Sequence, residues 1–385
     1  MSCSGNLHRS FGASNFCSIS TDWNEPMRHS LMLITSLAIL SSCAVFDTSS
    51  TMESTATTTN ATTEESDSAD AVTIGQWPVS GELFTHDPAI TVEDGTWYSF
   101  YTADGIGLNV SEDGLSWQKT YRPALPWNLI RTMRDDWWTQ YVPDYSGTSV
   151  WAPDVFQYDG RTYLYYAVST FGRNHSVIGL ASTDSLADNN WVDEGAVLAS
   201  TADDDFNAID PNLFEDPETG RLWLAYGSYW SGLKLREVDP ETMKPFADSE
   251  PVSLASRPGV RHNPIEAPAL AYHDGFYYLF ASIDRCCADS NSTYKVIVGR
   301  STQVTGPYED DLGIRMLDGG GNLVWTDRSE GRVQGFGGGQ DVFQLDNGDW
   351  AMAWHIYNRD RNGYPELAIA RLRFMDGWPV ISAQH

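Results

Sequence analysis

One pattern recurs five times along this chain, and it restricts the fold more than any other feature. The segments "DGTWYSFYTADG" from Asp94, "DGRTYLYYAVST" from Asp159, "ETGRLWLAYGSYW" from Glu218, "DGFYYLFASID" from Asp274 and "DNGDWAMAWHIYN" from Asp346 each set a Gly turn ahead of an alternating aromatic strand. The turn glycines Gly95, Gly160, Gly220, Gly275 and Gly348 stand roughly 55 to 75 residues apart. Further short strands fill each interval, such as "GIGLNVSEDGLSW" and "SVIGLASTDSL". A unit of that length built of short strands buries little by itself and must stack on its neighbours, which is the logic of a propeller blade. The chain therefore reads as all-β, a five-bladed β-propeller. A two-sheet sandwich is the rival architecture, and it leaves the repeat unexplained.

Each repeat is preceded by another strand with an acidic or amide residue at its start: Asp87 in "HDPAI", Asp154 in "WAPDVF", Asp210 in "IDPNLF", Glu266 in "IEAPAL" and Gln340-Asp341 in "GGQDVF". Pro88, Pro153, Pro211 and Pro268 beside them suit the first residues of a strand, where a missing N–H matters least. Inner strands of a propeller line a central channel. Their starts gather at one mouth, so these distant side chains should converge.

Composition narrows what such a mouth can bind. The 385 residues are 41% apolar and 12% aromatic, enough for a large core, and the 52 acidic against 24 basic side chains leave a formal net charge of -28. Nucleic acid and anionic membrane surfaces would be repelled, and a neutral substrate suits the charge better. Carboxylates crowded around one pocket push each other's pKa values apart, so that one stays ionised while another keeps its proton. Glycoside hydrolysis needs that division between acid and base. An acidic ring also suits calcium, and any single one of these residues has the plainer option of bonding backbone amides. Trp151, Phe171, Tyr229 and Trp230 are candidate platforms for sugar rings, while most of the 15 Trp should pack between blades.

The N-terminal region has a different character. Met27-Arg28-His29 precedes the apolar run Leu31 to Leu40, which is too short to span a bilayer and reads as a secretory signal. Leu40-Ser41-Ser42-Cys43 resembles a lipoprotein signal, with Cys43 as the lipidated residue. Residues 1–26 are then a doubtful extension, residues 27–43 the signal peptide, residues 44–72 a disordered Ser/Thr-rich tether, and residues 73–385 the propeller. Export to the bacterial cell envelope as a lipid-anchored protein, or secretion, follows, with the membrane a partner only through that anchor and the protein a monomer. Cys286 and Cys287 lack zinc-site spacing, and neighbouring side chains on a strand point to opposite faces. The reading favours two separate thiols over a vicinal disulfide.

With these segments in view, the sequence resembles glycoside hydrolase family 43, and within it the endo-1,5-α-L-arabinanases. The resemblance covers residues 80 to 380 or so, through "HDPAI", "WAPDVFQYDGRTYLYYAVSTFG", "NAIDPNLF", "LWLAYGSYWSG", "IEAPAL" and "FASIDRCCADSNSTYKVIVGRS". It implies an inverting hydrolase with Asp87 as general base, Glu266 as general acid and Asp210 as the residue that tunes the acid. It also implies substrate contacts at Asp87, Gly172, Asn207, Ala208, Ile209, Asp210, Ser228, Tyr229 and Trp230, and arabinan or arabino-oligosaccharides as substrate. Exo action, an arabinofuranosidase or xylosidase specificity, and a non-catalytic glycan-binding propeller are the alternatives. The segment Leu125 to Ser149 is a candidate for closing one end of the cleft. Such enzymes often hold Ca2+ in the channel through a His of the fifth blade, but "GFGGGQDVF" has none. Gln340 offers an amide oxygen in its place, or sodium, chloride or water takes the position; His355, one strand further on, is the weaker substitute.

Overall fold

Five antiparallel sheets follow one another along the chain in a computed structural model that describes residues 76–125, 137–145, 147, 149–327 and 334–382. Their innermost strands are Ala89–Glu93, Ser149–Tyr158, Asn212–Glu215, Ile265–His273 and Gly337–Gln344, one to each of blades I to V. Each pairs with a second strand: Thr96–Tyr101, Arg161–Ser169, Leu222–Tyr226, Phe276–Ile283 and Trp350–Asn358. The all-β five-bladed propeller expected from the repeat is the observed fold. The signal, the Cys43 anchor and the Ser/Thr tether fall outside the described residues.

The turns explain why the repeat was so regular. In blade I, Glu93 pairs with Thr96, leaving Asp94 (φ 50°) and Gly95 (φ 80°) as a two-residue loop. Asp159-Gly160 and Asp274-Gly275 repeat it with both φ values positive. Both central positions of this turn need the left-handed region, which Gly adopts freely and Asp tolerates, so Asp-Gly marks these hairpins.

Packing supplies the ring. Five apolar clusters sit at the five junctions between neighbouring blades. Alternate residues of one strand serve different junctions: Tyr277, Leu279 and Ala281 face blade III, whereas Tyr278 and Phe280 face blade V. Both faces are therefore buried, and the second strands read as continuous apolar runs. Phe280 is fully buried, and truncating it to Ala would cost about 3–5 kcal/mol. The N-terminal stretch closes the circle. Ser80–Gly81 pairs with the outer strand of blade I, while Trp77 N–H donates to Ile369 O at 2.7 Å and Leu367 N–H to Leu83 O at 2.8 Å in blade V. In the segment Leu125 to Ser149, Trp138 and Val142 pack into the junction of blades I and II, and its residues 126–136 lie outside the described residues.

The cysteine expectation needs correcting. Cys286 and Cys287 form a vicinal disulfide. They sit in the turn after Phe276–Ile283 and not on a strand, so the alternation of side chains does not separate them, and Cys287 takes a left-handed φ of 60°.

Candidate active site

The inner strands share a local kink that sequence spacing alone obscured. At the channel mouth each blade places one residue in the left-handed region: Asp87 (φ 51°), Ala152 (40°), Asp210 (55°), Ala267 (51°) and Gly339 (58°). The following residue is Pro in blades I to IV and Gln340 in blade V. In blades II, IV and V the ladder slips at this point, between Trp151 and Asp154, Glu266 and Ala269, and Gly338 and Asp341. A bulge here re-aims the side chains of the strand start. Non-Gly residues in this region ahead of Pro are strained, and the surrounding sheet holds them there.

The five acidic or amide positions therefore occupy different levels. Asp87 and Asp210 stand at the kink and Glu266 one residue before it. Asp154 and Asp341 lie two residues further along, level with Ala89, Asn212 and Ala269. That deeper ring fastens blades together. Asp154 accepts from Leu213 N–H at 2.8 Å and the Asn212 amide at 3.1 Å, Asn212 Oδ1 accepts from Leu270 N–H at 2.9 Å, and Asp341 accepts from Ile90 N–H at 2.7 Å. Burial raises the pKa of both Asp154 and Asp341 to about 7 despite these donors.

At the mouth, Asp87 Oδ2 accepts from Thr102 Oγ1 at 2.9 Å and meets His86 Nδ1 at 2.8 Å, and its N–H donates to His355 Nδ1 at 3.1 Å. Burial alone would raise its pKa. The His86 and His355 rings and the Thr102 hydroxyl outweigh that and bring the carboxyl down to about 2. Glu266 is buried, with Ser228 Oγ donating to Oε2 at 2.6 Å. Burial raises its pKa against that hydrogen bond, and the Asp87 charge adds to the rise. Asp210, whose Oδ2 accepts from Ala267 N–H at 3.1 Å, is raised well above the usual range by burial and by the charges of Glu266 and Asp87. Three carboxyls from blades I, III and IV thus share one mouth. One is held ionised at neutral pH, and the other two form a pair whose proton affinity is raised.

Of the remaining predicted contacts, Phe171 and Trp230 are exposed, Trp151 and Tyr229 are half-buried, and Gly172 (φ 74°) has open space where a Cβ would stand. Tyr229 and Trp230 both have positive φ, an unusual pair that turns the chain away after Ser228. Asn207 is buried and accepts from Ser176 Oγ at 2.6 Å. Ala208 and Ile209 are also buried, Ala208 completely. These three form the buried coil that leads into Asp210, and Ile209 O accepts from Gly227 N–H at 2.9 Å.

Gln340 is engaged at both ends. Its Oε1 accepts from Ser282 Oγ at 2.7 Å and its Nε2 donates to Ala267 O at 2.5 Å. Among the described residues, the one cluster spaced for a metal is His86, Asp87 and His355. Its donors face one another: His355 Nδ1 accepts the Asp87 N–H and His86 Nδ1 faces Asp87 Oδ2, so the neutral His355 keeps its proton on Nε2. Such a set does not fit a calcium ion, which takes several free oxygens.

Four contributors went unnoticed in the sequence: His86, Thr102, Tyr357 and Gly339. A Cβ on Gly339 would lie 2.2 Å from Asp87 Oδ1, and one on Gly338 would lie 2.5 Å from the Tyr294 ring, so the "GGG" run makes room for the site. That run was the available signal.

The model of glycosyl hydrolases family 43 matches residues 76–379 of this chain. The chain belongs to that family. This family 43 hydrolase is 44% identical over 306 residues to an extracellular endo-α-(1→5)-L-arabinanase of Bacillus subtilis (strain 168), covering 79% of this chain and 89% of the relative. It is 36% identical over 316 residues to an extracellular exo-α-(1→5)-L-arabinofuranosidase of Cellvibrio japonicus, covering 78% and 87%. Among solved structures, the native Bacillus subtilis arabinanase superposes with a TM-score of 0.70 at 41% identity, over 80% of this chain and 100% of that one. A Cellvibrio cellulosa α-L-arabinanase complexed with arabinohexaose does so with 0.69 at 34%, over 78% and 96%. The hydrolase is thus a glycoside-cleaving enzyme on a five-bladed propeller.

Proposed function

We propose that this enzyme cleaves internal α-1,5-L-arabinofuranosidic bonds of arabinan with inversion. The observation that carries the reading is the convergence of three carboxyls on one mouth with opposed shifts: that of Asp87 is held low by His86, His355 and Thr102, while those of Asp210 and Glu266 are raised by burial and by neighbouring charge. Glu266 gives its proton to the glycosidic oxygen as the bond from that oxygen to the anomeric carbon breaks. Asp87 takes a proton from a water that attacks the opposite face of the same carbon, so each cycle consumes one water and yields two chain ends. Asp210 sets the proton affinity of Glu266. The Glu266 carboxyl then regains a proton from solvent as Asp87 releases one.

The choice of arabinan and of endo action follows the higher identity to the endo-acting relative, while the exo-acting relative keeps a second reading open. Both relatives are named as extracellular, which supports export; we assign the anchor to Cys43. The decisive experiment is incubation with linear debranched arabinan, followed by chromatography of the products. A ladder of oligomers is expected. One released sugar size would replace endo by exo action, and no products would remove the activity. Cys43→Ala is expected to move the protein from the membrane to the soluble fraction, and unchanged fractionation would refute the anchor.

A further inference from the structure

The turn that carries the disulfide leaves blade IV between its second strand, Phe276–Ile283, and its third, Lys295–Ser301. It is closed at its neck by Thr293 N–H donating to Arg285 O at 2.9 Å. From there it reaches over blade V. Cys287 N–H donates to the buried Tyr357 hydroxyl at 2.8 Å, and that hydroxyl lies 2.9 Å from His86 Nε2. His86 Nδ1 in turn faces Asp87 Oδ2 at 2.8 Å. The turn is also seated tightly on blade V, since a Cβ on Gly363 would come within 2.2 Å of Asp289 and Ser290.

Blade IV carries Glu266 and blade I carries Asp87, while blade V contributes no carboxyl to the mouth among its described residues. We propose that the Cys286–Cys287 turn, Tyr357 and His86 form a brace that fixes the base of blade I against the acid of blade IV. The disulfide closes a ring across one peptide bond, which holds the Cys287 N–H on Tyr357. The Tyr357 hydroxyl also bonds Ser292 of the same turn, and its contact with His86 Nε2 orients the ring. The ionised Asp87 offers only acceptors, so His86 carries its proton on Nδ1 and pins the carboxylate oxygen. Tyr357, Cys287 and His86 are positioning residues, and they touch the reaction only through Asp87. Small displacements of a base from its attacking water are costly, which makes a brace of this length worth keeping.

This inference rests on the proposed arabinan hydrolysis, and its test keeps the two apart. Turnover of linear arabinan by the oxidised wild type is measured first and judges the activity alone. A phosphine reductant then opens the disulfide: the phosphine and one water become phosphine oxide, and the two electrons and two protons make two thiols. Cys287 is exposed and Cys286 half-buried, so the reagent has access. Alkylation and mass spectrometry verify the opening. The brace predicts that kcat falls about tenfold while KM stays within about twofold. The acid limb of kcat/KM, which Asp87 keeps near 2 in the oxidised enzyme, should rise towards the working range, and re-oxidation should restore both.

Tyr357→Phe should give the same loss and then be insensitive to the reductant, because the two changes break one chain of contacts. A readout independent of turnover is the 15N signal of the His86 ring, which should shift on reduction. Unchanged kcat and pH profile in verified reduced enzyme would overturn the brace. So would a rise in KM alone, which would make the turn a wall of a sugar subsite, or additive effects of Tyr357→Phe and reduction.

Discussion

Asp87 and Asp154 occupy neighbouring blades, each beside the Pro that follows the kink of an inner strand, yet their surroundings differ. Asp87 stands on the kink, where its carboxylate meets His86, Thr102 and the open mouth. Asp154 stands two residues further along, where both its oxygens are taken by blade III. Their pKa values diverge to match, about 2 for Asp87 and about 7 for Asp154. The His86 and His355 rings and the Thr102 hydroxyl hold the first ionised. Burial with only neutral partners raises the second. Position relative to the kink separates a reactive carboxylate from a fastening one.

The largest effect should come from removing the mouth carboxyls. Asp87→Asn and Glu266→Gln are each expected to lower kcat on arabinan by about 10²–10⁴ while the melting temperature stays near that of the wild type. Asp154→Ala should do the reverse. It leaves Leu213 N–H and the Asn212 amide without their acceptor, at about 1–3 kcal/mol each, so melting drops by several degrees and turnover barely moves. If Asp154→Ala abolished turnover in a folded protein, the two-level description would be wrong.

Next is Gly339→Ala. Its Cβ would stand 2.2 Å from Asp87 Oδ1, in a left-handed conformation that already disfavours Ala. Either the carboxylate or the strand must yield, and kcat should fall by about 10². The equivalent kink positions in blades II and IV are Ala, so the backbone strain by itself is tolerated there, and this result would tie the blade V glycine to Asp87 and not to the fold. Retention of kcat in Gly339→Ala would show that Asp87 has room to move.

A smaller but directional effect concerns pH. Because Asp87 stays ionised down to about 2, it does not set an acid limb in the ordinary working range. In the proposed mechanism the alkaline limb belongs to the Asp210/Glu266 pair, because an acid must hold a proton and loses it as pH rises through the raised pKa. Asp210→Asn removes the second carboxyl of the pair, whose charge, once the pair has lost one proton, opposes ionisation of Glu266. The alkaline limb of kcat/KM should therefore move to lower pH. A limb that stayed in place or moved up would refute the role of Asp210.

Much of this was legible in the sequence. The five Gly turns predicted the five blades, and Asp87, Asp210 and Glu266 were picked out before their convergence was seen. The offset between the two levels stays hidden when the strand starts are aligned on their acidic residues. The prolines carried the true alignment: set on Pro88, Pro153, Pro211 and Pro268, the acids fall one before, one after, one before and two before. Backbone sterics fix the Pro, whereas chemistry moves the acid around it. The vicinal disulfide was misread for a related reason. Alternation along a strand says nothing about a turn, and Cys287 sits in a left-handed conformation that no pattern of side chains announces.

The finest test compares the two levels through stability. Asp341 has a folded-state pKa of about 7 against an ordinary value of 3.8, so the folded protein binds its proton more tightly than the unfolded chain does. Stability must then fall as pH rises between those values and level off above 7. Asp87 has the opposite sign, since its depressed pKa favours the folded state above about 4, an advantage lost as pH falls towards 2. Asp341→Asn keeps an oxygen for Ile90 N–H and removes the ionisation. Its melting temperature relative to the wild type should be lowest near pH 4, climb to pH 7 and stay level beyond. A difference that did not change with pH would mean that Asp341 ionises as freely in the folded channel as in water, and the lower ring would then no longer contrast with the mouth.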